Sequence, residues 1–247
     1  MNEMTETVTT LSADTQALLL KAAGTQSETE AETTTIPYIS PKGKKFSIAG
    51  TKLGSSFPCV ILADVFDHSF YDRKYDPSQD VSFGPACFAM GKSTPTMLPH
   101  EDSPNKQADN CITCDKNEFG SAENGKGKAC RNGRRLLVAS VSDGKVNFGD
   151  MAIINISPTA LKGYSKYVKS INSIKKLPVW SVATTLTFDE DSPWPIVCPI
   201  FDGILDGDDI GTIANNVETY DRLISEPYDV SGYVPPTDAP ARKSKMS

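Results

Sequence analysis

Four of the six cysteines in this 247-residue chain, Cys87, Cys111, Cys114 and Cys130, stand in one polar stretch. Cys111-Ile112-Thr113-Cys114 is a C-x2-C knuckle. That spacing lets two thiolates meet one ion while nearby backbone N–H groups soften their charge, and two further thiolates close a tetrahedron. Residues 86–133 are rich in Gly, Asn, Lys and Ser and have almost no periodic apolar pattern. A stretch of that length needs something other than a core of its own to hold it. Structural Zn2+ on Cys87, Cys111, Cys114 and Cys130 is therefore expected. An iron–sulfur cluster on the same thiols, free thiols, or His100 in place of one thiol are the alternatives. A redox pair needs C-x2-C opening a helix after a strand, and Asp109-Asn110 supplies no such strand. Catalytic zinc wants an open coordination position with a His or carboxylate at hand.

The same stretch is basic in an acidic chain. Net charge is −6, with six acids against Lys21 in residues 1–35 and eight acids against Arg222 in residues 202–229. Between residues 116 and 135 six basic residues face only Glu118 and Glu123. Gly125-Lys126-Gly127-Lys128 allows a backbone to approach phosphate while the ammonium groups neutralise it. Lys126, Lys128, Arg131, Arg134 and Arg135 are the expected lining of a nucleic-acid groove. Phe119 and Trp180 are the expected stacking faces, with Tyr164, Tyr167 and Trp194 as further candidates. The plainer alternative is a solvated basic loop, with the aromatics in the core. The pattern G-x4-G-K-[ST] is absent, which argues against nucleotide hydrolysis.

The elements that must position these residues flank the cysteine stretch. Lys45-Phe46-Ser47-Ile48 and the apolar run at 58–66 predict strands before it. After it, 135–141, a turn at Asp143-Gly144, and 151–156 predict a pair of neighbouring strands. Ser157 as N-cap and Pro158 at the first helical position predict a helix with a stripe of Leu161, Tyr164, Tyr167, Val168 and Ile171. Strands are expected at 182–188 and 195–200 and one last helix at 210–224. Cys59 and Cys198 fall in apolar strand sequence and are expected in the core. The order predicts an α+β or mainly β core over 41–228, with a zinc-binding insert at about 86–133. Acidic residues 1–40 and residues 229–247, with Pro235-Pro236 and a basic end, are expected to be disordered tails. A short helix at 15–23 is the one exception.

Pro85-Ala86-Cys87, Gln107, Cys111-x2-Cys114, Asn117-x-Phe119-Gly120-Ser121 and the block from Gly125 through Cys130 to Leu136 resemble a set of tailed-bacteriophage proteins. Lys162-x-Tyr164-x2-Tyr167-Val168, Pro178-x-Trp180 and Thr184-Thr185-x2-Phe188 extend the resemblance, which covers about residues 45–205. The resemblance implies a zinc-containing single-stranded DNA-binding protein built on an OB-like barrel. It implies a role in DNA replication or recombination, with phage or host replication proteins as possible partners. A zinc-containing transcription regulator that contacts polymerase or duplex DNA is the alternative, although no recognition helix is evident. An enzyme is not expected: His68 and His100 are the only histidines, and no Ser/His/Asp set is present. Asp202, Asp206, Asp208 and Asp209 could bind Mg2+ for nuclease chemistry, but they fit a solvated turn before a helix better. No window approaches 18 consecutive apolar residues, so no membrane span is expected. The start of the chain has no basic and apolar signal pattern, and the expected location is cytoplasmic, the host cytoplasm if phage-encoded.

Overall fold

Three two-residue reversals lay out much of the sheet. Gly43-Lys44, Ala49-Gly50 and Asp143-Gly144 take positive φ at both positions, the type I′ geometry whose twist matches that of antiparallel strands. The computed structural model describes residues 36–73 and 84–235. The first reversal joins β1 (Tyr38–Lys42) to β2 (Lys45–Ile48), and the second joins β2 to β3 (Thr51–Gly54). The third joins β6 (Arg131–Ser142) to β7 (Lys145–Ile156).

The sheet has nine strands in the order β3-β2-β1-β7-β6-β4-β8-β9, where β4 is Phe57–Phe70, β8 is Val182–Phe188 and β9 is Val197–Ile204. The ninth strand, β5 (Cys87–Gly91), pairs with the end of β4. β1 runs parallel to β7, and every other pairing is antiparallel. The architecture is mixed α+β, dominated by this one sheet, which curls into an open half-barrel.

β4 is the axis of the fold because it meets three partners. β8 lies along residues 57–60, β6 along residues 59–69 and β5 along residues 66–70. A bulge between Ile61 and Ala63 shifts the β4–β6 register and so changes which residues face which side. Cys59 and Ile61 before the bulge join Leu136, Val138, Ile154 and Leu186 in one buried cluster. Phe46 stacks on Phe188 there with ring centroids 4.4 Å apart.

Helix α1 (Leu161–Lys169) covers that cluster, burying Tyr164 and Tyr167, and a π-helical turn at Ser170–Ile174 continues it and buries Ile171. The apolar stripe falls where the sequence predicts, but the helix starts later. Ala160 is the N-cap without a side-chain bond. The Ser157 carbonyl instead accepts the Ala160 N–H at 2.9 Å, making a separate turn. The expected last helix is two, α2 (Gly207–Asn215) and α3 (Val217–Ile224), parted at Asn216, whose φ of −120° leaves the helical region. Cys59 is fully buried on β4, and Cys198 is half-buried on β9.

The boundaries differ from those the sequence predicts. β1 lies partly within residues 1–40, and the described residues from Pro37 on belong to one compact unit. Residues 229–235 are docked: the Tyr233 hydroxyl donates to Asp72 at 2.5 Å, and the Arg73 guanidinium donates to the Val234 carbonyl. The insert contributes β5 to the sheet, so it is not wholly irregular. The helix expected at 15–23 and the end of the chain beyond residue 235 lie outside the described residues. Among the described residues no helix is long and apolar enough to cross a membrane.

Gly133 shows how tightly β6 is set. A Cβ there would stand 2.6 Å from the Ile156 carbonyl oxygen, a backbone atom of the paired strand that cannot swing aside. Gly133→Ala is therefore expected to destabilise the protein by about 1–3 kcal/mol, the range for overpacking a tight site. Urea denaturation checks this, and an unchanged midpoint refutes it.

Candidate metal centre and nucleic-acid interface

The strand register brings the cysteines together. Phe70, the last residue of β4, pairs with Cys87 on β5. On the other side Ser69 pairs with Arg131, which places Cys130 one step further along. Directly opposed residues of neighbouring strands project to the same face, and so do residues two apart on one strand. Cys87, Phe70 and Cys130 therefore share a face with His68. The loop carrying Cys111 and Cys114 folds over that face, and all four thiols, His68 and Phe70 line one cavity of about 20 Å3.

The loop is held by its own polar groups. The Cys111 N–H donates to the Met97 carbonyl at 3.2 Å, and Cys111 packs with Ala89 and Met97. Asn117 is the hub. Its backbone N–H donates to the Cys114 carbonyl at 2.8 Å and its side-chain amide to the Cys111 carbonyl at 2.7 Å. Its Oδ1 accepts from Asn132 at 2.9 Å and from Lys128 Nζ at 3.0 Å. The Cys130 N–H donates to the Lys116 carbonyl at 2.7 Å, tying the fourth thiol to the knuckle. Short polar side chains that bond to nearby backbone favour such turns over helix or strand.

The thiols sense one another. Burial pushes the Cys130 thiol up to about 12, with further contributions from Cys111, Cys114 and Cys87. Burial pushes Cys111 up to about 11, with Cys87 and Cys114 adding to it. Burial also raises Cys87, against hydrogen bonds from the Gln107 backbone and the Ser103 side chain. Four negative charges in one small space repel each other. A divalent cation reverses that sign, deprotonating the thiols and drawing them inward. Among the described residues no group of three or more His, Cys, Asp or Glu side chains already has the arrangement of a metal site.

Sequence reasoning missed His68. It is buried, and its Nδ1 has no hydrogen-bond partner. Burial, with Lys128 nearby, lowers its imidazole to about 4, so the ring is neutral near pH 7. The available signal was its position near the end of the last strand before the cysteine stretch. His100, the alternative ligand, is engaged elsewhere. It stacks on Phe88 with centroids 4.9 Å apart, and its Nδ1 accepts the Asp102 N–H at 3.2 Å.

The residues expected to contact nucleic acid divide into two groups. Phe119 is 84% exposed. The Gly120 N–H donates to the Gly127 carbonyl at 2.6 Å, which fixes Phe119 beside the segment bearing Lys126 and Lys128. Both lysines and Arg131 are exposed. Arg134 instead turns inward: it lies 3.9 Å over the Phe66 ring and pairs with Asp64, which also accepts from the Tyr164 hydroxyl at 3.1 Å.

Arg135 is removed from the expected groove altogether, at 3% exposure. It alternates with Arg134 along β6 and so faces the other side. There it donates to the Tyr38 hydroxyl and the Glu226 carbonyl, each at 2.6 Å, and lies over the Tyr38 and Tyr228 rings. Trp180 is half-buried on a single turn, Val179–Ser181, that leads into β8. Ala183 pairs with Val60, so Trp180 is level with the middle of β4, away from the strand end under the cysteine loop. Tyr164 and Tyr167 are core residues, and Trp194 is 73% exposed in the β8–β9 connection.

The acidic cluster is committed to structure. Asp206 caps α2 by accepting the Asp209 N–H at 2.9 Å and pairs with Lys145. Asp209 accepts the Val146 N–H at 3.1 Å, and Asp202 accepts the Thr185 hydroxyl at 2.8 Å. Comparisons with family models, with curated proteins and with solved structures return no match.

Proposed function

We propose that this chain is a zinc-containing protein that binds single-stranded DNA through the loop its cysteines hold. One observation carries the reading. Phe119, a large apolar ring, is 84% exposed on a loop that hydrogen bonds fix beside Lys126 and Lys128. Leaving such a ring in water is unfavourable by roughly 1.5–3 kcal/mol relative to burying it. A base stacked on the ring recovers that cost, while the ammonium groups neutralise the adjoining phosphates. Arg131 extends the positive surface, and Zn2+ on Cys87, Cys111, Cys114 and Cys130 would fix the loop. The reading takes the curled sheet as OB-like and the setting as phage DNA replication or recombination in the host cytoplasm, alongside replication proteins. It is a binding role, not a catalytic one.

The test is titration of a fluorescent oligonucleotide at several salt concentrations. Binding at micromolar or tighter Kd that weakens steeply with salt is expected. No salt-sensitive binding, or a preference for one duplex sequence, sinks the reading, and the second result favours the transcription regulator. Lys126→Ala with Lys128→Ala should lower the slope of log K against log salt by about 1.4, or ~0.7 for each single-strand phosphate no longer neutralised. Phe119→Ala should cost about 1–3 kcal/mol of affinity and leave that slope unchanged. Equal slopes in the wild type and the double lysine variant would remove those lysines from the interface.

A further inference from the structure

We propose that the metal centre has five donors for four positions, with His68 as a reserve ligand that closes the zinc tetrahedron when Cys130 leaves it. This rests on the four thiols holding zinc, as above. His68 stands on the same face two residues before Phe70, which the register flanks with Cys87 on one side and Cys130 on the other, and it lines one cavity with all four thiols. The ring is buried, and its Nδ1 has no partner. A neutral imidazole bound to zinc normally gives its other nitrogen to a carbonyl or carboxylate. The lone Nδ1 of His68 has no such support, as suits a ligand held outside the resting set.

Cys130 is the thiol positioned to leave. As whole residues Cys87, Cys111 and Cys114 are buried, whereas Cys130 is only partly buried. It also stands two residues after Lys128 and four after Lys126, the residues assigned above to DNA. In the exchange the Zn–S bond to Cys130 breaks and the thiolate takes a proton from water. An imidazole nitrogen then donates its lone pair to zinc. Three thiolates and one imidazole replace four thiolates, the site's net charge changes from −2 to −1, and no oxidant or reductant takes part.

The experiment uses the full chain with Co2+ and Zn2+ as probes, in Cys130→Ala, His68→Ala, the double variant and Cys114→Ala. Wild-type protein should bind one ion with the spectrum of four thiolates. Cys130→Ala should keep one ion, with thiolate-to-cobalt absorption reduced by about a quarter, as one of four sulfur ligands is replaced by nitrogen. His68→Ala should leave wild-type zinc affinity within about threefold, yet weaken it at least about thirtyfold in the Cys130→Ala background. That non-additivity marks a direct interaction with the vacated position. If His68→Ala costs the same factor in both backgrounds, the ring merely supports a thiolate and the proposal is overturned. Loss of the ion from Cys130→Ala to the same extent as from Cys114→Ala also overturns it. A wild-type protein that takes up no zinc defeats the underlying zinc reading instead. Should Cys130→Ala fail to fold, alkylation of zinc-loaded protein at Cys130 decides the matter. Zinc should stay bound with His68 present and be released from His68→Ala, and release from both overturns the proposal.

Discussion

Cys114→Ala is expected to bind no zinc, to lose the order of residues 92–130 and to keep its sheet. The large buried cluster is built from β1, β2, β4, β6–β9 and α1 and includes none of the four site cysteines. Among the described residues the cysteine loop shares a small satellite cluster of Ala89, Met97 and Cys111. Its remaining supports are the stacking of His100 on Phe88 and hydrogen bonds, several of them buried or part-buried, each contributing on the order of 1 kcal/mol. Structural zinc supplies on the order of 10 kcal/mol of coupled folding energy, so the ion dominates. Native mass spectrometry should show one zinc in the wild type and none in the variant. Hydrogen exchange should show the Gly120 and Cys130 amides unprotected, while β6 and β7 stay protected. Oligonucleotide affinity should fall at least about tenfold, or ~1.4 kcal/mol, because Phe119 and the two lysines lose their common frame. Retained protection at Cys130 without metal would mean that the loop's hydrogen bonds suffice.

Arg135→Ala is expected to weaken the fold, not the DNA interface. Asp67 is buried beside it and accepts from the Tyr228 hydroxyl at 2.6 Å. Burial raises the Asp67 carboxyl, while the Tyr228 hydrogen bond, Arg135 and Arg131 pull it down. Removing the guanidinium leaves that carboxyl with only the exposed Arg131 for a cation and deprives the Tyr38 hydroxyl and the Glu226 carbonyl of their donor. A hydrogen bond from a charged donor is worth about 1.5–3 kcal/mol, and this substitution removes the ones to Tyr38 and Glu226. A cost near 3 kcal/mol lowers Tm by roughly 6–12 °C in a domain of this size. Arg131→Ala, exposed on the same strand, is the control. Removing an exposed charge near a carboxylate should cost less than about 1 kcal/mol of stability while weakening oligonucleotide binding. Unchanged stability with lost DNA affinity in Arg135→Ala would restore Arg135 to the groove.

The contrast between Arg134 and Arg135 shows where sequence reasoning runs out. Strand existence was legible, because the apolar runs at 58–66, 135–141 and 182–188 have no other good use. The Asp143-Gly144 reversal was legible because few dipeptides tolerate two positive φ values. Which face each arginine takes was not legible, since the neighbouring Leu136, Leu137, Val138 and Ala139 are all buried and show no alternation, and the β4 bulge at Ile61/Ala63 resets which β4 residues meet each face. β5 was hidden because Cys87-Phe88-Ala89-Met90 is too short to stand out within a polar stretch. The helix start was misplaced because Ser157 and Pro158 favour a helical turn without requiring the helix to continue from it. The segment 229–235 resembled a tail, yet Tyr228 and Tyr233 find buried or half-buried acceptors, Asp67 and Asp72, brought close only by the fold. Spacing alone picks out the cysteine set, and the register supplies what spacing lacks, a common face for Cys87 and Cys130.

The end of β4 is a wall shared by two rooms. His68 and Phe70 face the thiols, while Asp67 faces Arg135 and Tyr228. Substitutions on one side can therefore drift independently of the other. A one-residue insertion or deletion between 64 and 70 has no such freedom. It would put a carboxylate among the cysteines and an imidazole among the tyrosines in a single event. Variation in length across this strand is thus confined to its bulge or its loops, and the two sites inherit a fixed offset along the chain.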